Sequence, residues 1–178
     1  MSSLKEVSVV RLGLDGGTNS YVVILREKGG ERFLPIWIGQ AEAESILLEM
    51  NNVKKERPLT HDLCRNLILG LGGELRSVHI TRVQKGVYYA EMHIARGDKL
   101  YSIDARPSDS IAVALRFPAP IFAEESLLAD AGESGDEEES DAVVPEPEPV
   151  QSTDEMNAEQ LKEYLSRLRP EDFGKFTL

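Results

Sequence analysis

The sequence predicts an α+β domain with helices packed on a mixed sheet. Three observations carry that expectation. Apolar and β-branched residues cluster in short runs through the first third, the hydrophobic period then changes to that of a helix, and the same succession of strands and helix recurs before residue 128.

The first strand is expected at Leu4 to Leu12, with Val7 and Val9 on one face and Val10 and Leu12 on the other. Asp15-Gly16-Gly17-Thr18-Asn19 turns the chain into Tyr21-Val22-Val23-Ile24-Leu25, whose unbroken apolarity points to burial on both faces. Gly29-Gly30 then makes a hairpin to the strand Arg32 to Ile38. Pro35 has no N–H to give a central ladder, so that strand belongs at an edge or is bulged there. From Gly39 the period changes: Ala43, Ile46, Leu47 and Met50 form one helical stripe, with Glu42, Ser45 and Glu49 opposite. A second helix repeats the spacing with Cys64, Leu67, Ile68 and Leu71, capped by Thr60 and stopped by Gly72-Gly73. Three strands follow as a meander, about 75–83, 87–95 and 99–104, turning at Lys85-Gly86 and Arg96-Gly97-Asp98. The third helix starts at Pro107, a favoured first position because proline's missing donor would be unpaired there anyway. Its apolar face is Ser108, Ile111, Ala112 and Leu115; Pro118 and Pro120 end it, and a short helix is expected over 124–128. The resulting βββα(α) order raises the question of duplication. A shift of 65 aligns the stretch 38–46 with 103–111, matching Ile38, Ser45 and Ile46 to Ile103, Ser110 and Ile111.

Charge divides the chain near residue 128. Residues 1–128 hold 16 Lys+Arg against 16 Asp+Glu and residues 129–178 hold 4 against 15, so the net charge of −11 lies entirely in the last fifty residues. A neutral body excludes a strongly basic nucleic-acid module, although a local basic groove is compatible with it. Residues 130–159 carry 12 acidic residues and no basic one, with Pro145, Pro147 and Pro149 alternating, a composition too poor in apolar surface to order itself. The expected organisation is therefore a domain at 4–128, an acidic linker at 129–155 and a short amphipathic docking helix at 156–178. In that last segment Asn157 and Gln160 form a capping box, and Leu161, Tyr164, Leu165 and Leu168 form a stripe. One cysteine, Cys64, rules out an internal disulfide and a multi-cysteine metal site. No apolar run reaches membrane-spanning length and no signal core follows the N-terminus, so a cytoplasmic protein is expected. The sequence leaves a homo-oligomer open.

Two segments gather groups that a packed core would not want. In Arg57-Pro58-Leu59-Thr60-His61-Asp62 a cap residue, an imidazole and a carboxylate crowd the first turn of a helix, whose free N–H groups and dipole favour an anion. A purely structural reading gives Thr60 and Asp62 to the helix end and His61 to the surface. In Asp104-Ala105-Arg106-Pro107-Ser108-Asp109-Ser110, Asp109 can cap the helix and Arg106 can pair with either aspartate. The functional alternative makes Asp104 and Asp109 ligands of a divalent cation (Mg²⁺ or Mn²⁺), puts a phosphate on Arg106 with Arg57, Thr60 and Ser108 beside it, and uses His61 with Asp62 as acid and base. His79 and His93 read as sheet-face residues, and Glu42 and Glu44 as complements to a helix dipole.

The blocks Leu34-Pro35-Ile36-Trp37-Ile38-Gly39, Arg57-Pro58-Leu59-Thr60-His61-Asp62-Leu63 and Ile103-Asp104-Ala105-Arg106-Pro107-Ser108-Asp109-Ser110-Ile111-Ala112, in this order and spacing, resemble the bifunctional nuclease domain family over about residues 4–128. The ending at 168–175 looks like one found in a subset of that family. The resemblance implies an α+β fold and cleavage of both DNA and RNA, hence a low-specificity nuclease with nucleic acid as its substrate. The competing expectation is a non-catalytic regulatory module that holds an anion or a partner at the same helix ends.

Overall fold

The computed structural model describes residues 3–15 and 20–130. The expected terminal helix and all but the first two residues of the expected acidic linker lie outside them. Seven strands, β1 (Leu4–Asp15), β2 (Ser20–Glu27), β3 (Phe33–Ile38), β4 (Glu74–Gln84), β5 (Val87–Arg96), β6 (Lys99–Ala105) and β7 (Ile121–Glu124), and three helices, α1 (Gln40–Met50), α2 (Thr60–Gly70) and α3 (Pro107–Arg116), make up the body. The strands form one mixed sheet in the order β3-β2-β1-β7-β4-β5-β6. Every pairing is antiparallel except that of β4 with β7. The α+β class and the mixed sheet are as the sequence predicts, and β3, which contains Pro35, is an edge strand.

The departures have local causes. The register of β1 against β2 slips between Val9 and Arg11. This bulge brings Val7 and Leu12 to the same buried face and leaves Val10 exposed, so the expected two-faced split of this strand does not hold. In β2 only Val23 and Leu25 are fully buried; Val22 and Ile24 are half-buried on the other face, because helices cover one side of the sheet alone. The sequence 118–124 reads as a helix stop, yet Ile121–Glu124 is a strand at the centre of the sheet, and the expected short helix shrinks to a single 3₁₀ turn, Glu125–Leu127. Backbone pairing runs one residue past 128, since Ala129 and Phe33 exchange both N–H···O bonds at 2.9 Å.

Lys85 and Gly86, at φ of 51° and 77°, make the two-residue turn that joins β4 to β5. The core lies between the sheet and the helices, built from Val23, Leu25, Leu34, Ile36, Val78, Ile80 and Ala90 below and Ala43, Ile46, Ile111 and Ala112 above. Ile46 and Ile111, paired by the 65-residue shift, are both wholly buried. α3 is enclosed: Ser108, Ser110, Ile111, Ala112, Val113 and Ala114 are all buried, where a one-sided stripe was expected. α2 is the opposite. Leu63, Leu67 and Leu71 are exposed, Cys64 and Ile68 only half-buried, and the one buried residue of the helix is His61.

Candidate functional site

The first turns of the three helices converge, which follows from α1 and α3 each leaving the end of a strand and α2 lying beside them. Gly39 caps α1, Leu59 precedes α2, and Arg106 precedes α3 with Pro107 at its first position. Thr60 is thus the first residue of α2, not its cap; the Leu59 N–H is satisfied from inside the helix by Asp62 Oδ2 at 2.8 Å.

At the meeting point, Asp109 of α3 receives three hydrogen bonds. His61 Nε2 reaches Oδ1 at 3.2 Å, Arg106 Nε reaches Oδ2 at 2.8 Å, and Arg106 Nη2 reaches Oδ1 at 3.1 Å. The same Nη2 donates to Glu42 Oε1 of α1 at 2.6 Å. The other nitrogen of the imidazole, Nδ1, lies 2.7 Å from Ser45 Oγ. Burial pushes the Asp109 carboxyl up, but hydrogen bonds from Arg106 and His61 outweigh it and hold the group below the ordinary carboxylate range. An ionised carboxylate only accepts, so Nε2 carries the proton, and in the neutral ring Nδ1 accepts from the Ser45 hydroxyl. Arg106 is held above even its ordinary value by Asp109 first and Glu42 second, and its side chain is 67% exposed, so it presents a permanent cation to solvent.

Asp62 is engaged elsewhere. Its Oδ1 accepts from Arg116 Nε at 2.5 Å, and the Arg116 guanidinium, 3% exposed, also donates to the carbonyls of Ala112 at 2.8 Å and Ser45 at 3.3 Å. One buried cation thus ties α2, α3 and α1 together. Burial raises the Asp62 carboxyl; Arg116 and the Leu59 N–H lower it further than burial raises it, and it ends below the usual range.

The structure therefore joins His61, Asp109 and Arg106, three of the residues singled out in the sequence. Asp62 bonds Arg116 instead, and His61 takes Asp109 as its carboxylate partner. Ser108 is buried at the start of α3, while Arg57 and Thr60 are exposed. Asp104 is on the other side of the sheet. It pairs with Glu91, whereas the next residue, Ala105, pairs with the buried core residue Ala90, so Asp104 faces away from the helices. It shares that open face with Glu91, His93 and His79, the last two with rings 4.1 Å apart. The expected cation pair Asp104 and Asp109 does not fit a metal in this geometry: the two carboxylates lie on opposite faces, and both oxygens of Asp109 are occupied by cationic or imidazole donors. Among the described residues no group of three or more His, Cys, Asp or Glu is placed to hold one.

Three members of the site escape a reading of periodicity. Ser45 is expected outward at its helical angle but is buried, because α2 and α3 cover that flank of α1. Glu42 reads as a dipole complement, and no motif or period in the sequence singles out Arg116. The available signal was Ser45 itself, a small hydroxyl matched to buried Ser110 by the 65-residue shift.

Beside Arg106 opens a cleft of about 240 Å³, walled by Ile36, Trp37 and Ile38 of β3 on one side and by Gly86, Val87 and Tyr88 with Arg106 to Ser108 on the other. Because β3 and β5 stand far apart in strand order, the sheet must curl to bring these walls together.

Comparison with known proteins places the site in context. The family model described as the bifunctional nuclease domain matches residues 23–136, which include every residue of the cluster. An uncharacterized protein of Mycobacterium tuberculosis is 44% identical over 172 residues, covering 94% of this chain and 97% of its own. Bifunctional nuclease 2 of Arabidopsis thaliana is 32% identical over 106 residues, 58% of this chain and 32% of the plant protein. Bifunctional nuclease 1 of Oryza sativa subsp. japonica is 26% identical over 110 residues, 60% of this chain and 33% of its own length. The alignments thus reach about a third of either plant protein. No helix among the described residues is long and apolar enough to cross a membrane.

Proposed function

Because the chain belongs to the bifunctional nuclease domain family, we propose that it cleaves phosphodiester bonds in DNA and RNA with little regard to sequence, at the cluster formed by His61, Asp109 and Arg106. The observation that carries this reading is the shared carboxylate: one side of Asp109 is bound by an exposed arginine and the other by an imidazole whose far nitrogen is anchored on Ser45. Three helix N-termini add their partial positive charge at the same spot, which favours a phosphate.

In this reading Arg106 takes a phosphate oxygen on its solvent side and balances the charge that grows on the phosphorus oxygens in the transition state. Asp109, more exposed than His61, accepts a proton from the attacking hydroxyl or water as that oxygen bonds to phosphorus. The P–O bond to the leaving oxygen breaks and the leaving oxygen takes a proton from solvent, while Nε2–H of His61 orients the Asp109 carboxylate. Ser45 fixes which nitrogen carries the proton, and Arg116 with Asp62 holds α2, and with it His61, against α3. A divalent cation enters only as an arm of the test, with Asp104, on the opposite face of the sheet, as the control position.

The test is the full-length chain on end-labelled single-stranded RNA and DNA, with Mg²⁺, with Mn²⁺ and with chelator. Asp109→Asn and His61→Ala are each expected to lower cleavage by about 10²–10⁴-fold, the usual contribution of a positioned acid or base. Asp104→Asn is expected to leave it unchanged; a loss that grows as Mg²⁺ falls would instead bring Asp104 and the metal into the reaction. Cleavage that survives both Asp109→Asn and His61→Ala would overturn the assignment of the site, and no cleavage by the native chain in any arm would leave the non-catalytic anion-binding module.

A further inference from the structure

We propose that the chain forms a twofold homodimer in which β6 pairs antiparallel with β6 of a second copy and the exposed leucine face of α2 packs across the seam. β6 ends the sheet, and six of its seven residues are exposed. Its outer backbone N–H and C=O groups meet no other strand among the described residues, the condition under which an edge recruits a further strand. Tyr101 and Ile103 pair with Ile94 and Met92 of β5, which pack against the core, so both lie on the helix side of the sheet, yet each is 42% exposed. α2 supplies the other wall. Its Ile68 reaches the sheet beside Ile94: the Cγ2 atoms of the two close on Gly73 so tightly that an added Cβ would stand 3.3 and 3.1 Å from them. Arg65, three residues before Ile68, turns to the end of α3, where it donates to the Arg116 carbonyl at 3.0 Å and lies over the Phe117 ring. Leu71, three residues after Ile68, lies with Leu67 on the opposite flank of the helix, which is the β6 side.

Area and symmetry select a second copy as the occupant. Leu63, Leu67, Leu71, Tyr101 and Ile103 leave on the order of 500 Å² of surface open, at the upper end of what a monomer exposes in one apolar patch. The open backbone and remaining side chains of β6 bring each side toward the roughly 800 Å² per partner of a specific interface. A twofold contact must also be self-complementary. An axis through Ser102, normal to the sheet, keeps the helices of both copies on one side and sets Tyr101 against Ile103 of the second copy, an aromatic on a β-branched residue. Lys99 then meets Ala105 and Asp104 meets Leu100, so no like charges oppose along the seam. The pairing satisfies the open edge and continues one seven-stranded sheet into the other. It does not depend on the nuclease reading, because His61 points inward from α2 while the leucines point out.

Sedimentation equilibrium of the full-length protein over a concentration series is expected to give twice the chain mass of 19.8 kDa. Ile103→Lys and Leu67→Glu alter exposed side chains, so both variants should keep native circular dichroism while each weakens association by about tenfold or more. Val10→Lys, at an equally exposed apolar position on the bulge of β1, should leave association unchanged. In a Cys64→Ala background, Ser102→Cys should form a disulfide-linked dimer on mild oxidation, because residues directly opposite across an antiparallel seam stand at disulfide distance. A native chain that stays monomeric or assembles beyond a dimer would overturn the proposal. So would a dimer that survives both Ile103→Lys and Leu67→Glu, one that Val10→Lys also dissolves, or one that does not cross-link through position 102.

Discussion

Replacing Asp62 by asparagine should destabilise the fold through Arg116, not through the catalytic cluster. The Arg116 side chain is 3% exposed, and Asp62 is its only carboxylate partner among the described residues; the remaining acceptors are two backbone carbonyls. Removing one member of a buried ion pair strands the other charge at a cost of about 3–5 kcal/mol. Two features moderate this: Asp62 is 33% exposed, so water can approach the vacated position, and both carbonyls stay. We expect a loss of about 3 kcal/mol, the low end of that range. For a body of this size that lowers the midpoint of thermal unfolding by about 10 °C. Asparagine keeps an acceptor for the Leu59 N–H; alanine does not, and should cost about 1 kcal/mol more for the missing helix-end bond. Urea unfolding followed by circular dichroism measures both. The decisive variant is Asp62→Asn with Arg116→Met, which replaces the stranded cation by an apolar chain of similar length and should recover most of the loss. A loss below about 1 kcal/mol in Asp62→Asn, or a double variant as unstable as the sum of the singles, would refute the reasoning.

Other outcomes follow from the same geometry. Asp62 and Asp109 have folded-state values below those of the unfolded chain, so their stabilisation is complete above the ordinary carboxylate value near 4 and is lost as pH falls through the lowered folded values. Native stability should accordingly hold steady down to about pH 4 and fall below it, and Asp62→Asn should flatten that fall. Ser45→Ala should leave His61 Nδ1 without its donor and lower turnover while barely moving KM, with a changed pH profile as the mark of a positioning role; a uniform loss at every pH would speak for packing alone. Amide hydrogen exchange should be faster in α2 than in α3, because α2 buries one residue and is fastened by side-chain hydrogen bonds while α3 is enclosed.

What the sequence makes legible is what repeats along one element. Strand and helix periods locate ten of the eleven elements closely, and Pro35 correctly demands an edge. β7 is hidden because four residues after two prolines carry too little pattern to separate a strand from a loop. Asp104 and Asp109 look like partners because five residues separate them, but a strand alternates its faces and the turn at Arg106 reverses the direction, which sends one carboxylate to each side of the sheet. Ser45 and Arg116 belong to the site through contacts 16 and 71 residues distant in sequence, and no local period reports on those. His61, Arg106 and Asp109 were visible because they crowd helix starts, where polar groups have a reason to gather.

The position of β7 bears on how the chain acquires its structure. The last strand of the body, Ile121–Glu124, lies at the middle of the sheet, antiparallel to β1 and parallel to β4. Until it is synthesised, the first three strands and the next three are separate meanders, each with an unpaired inner edge, and no continuous sheet can form. Closing that seam joins residues near position 5 to residues near 122, pairings of high contact order that fold slowly. During translation the two half-sheets must wait, with sticky edges open, for the final strand to leave the ribosome.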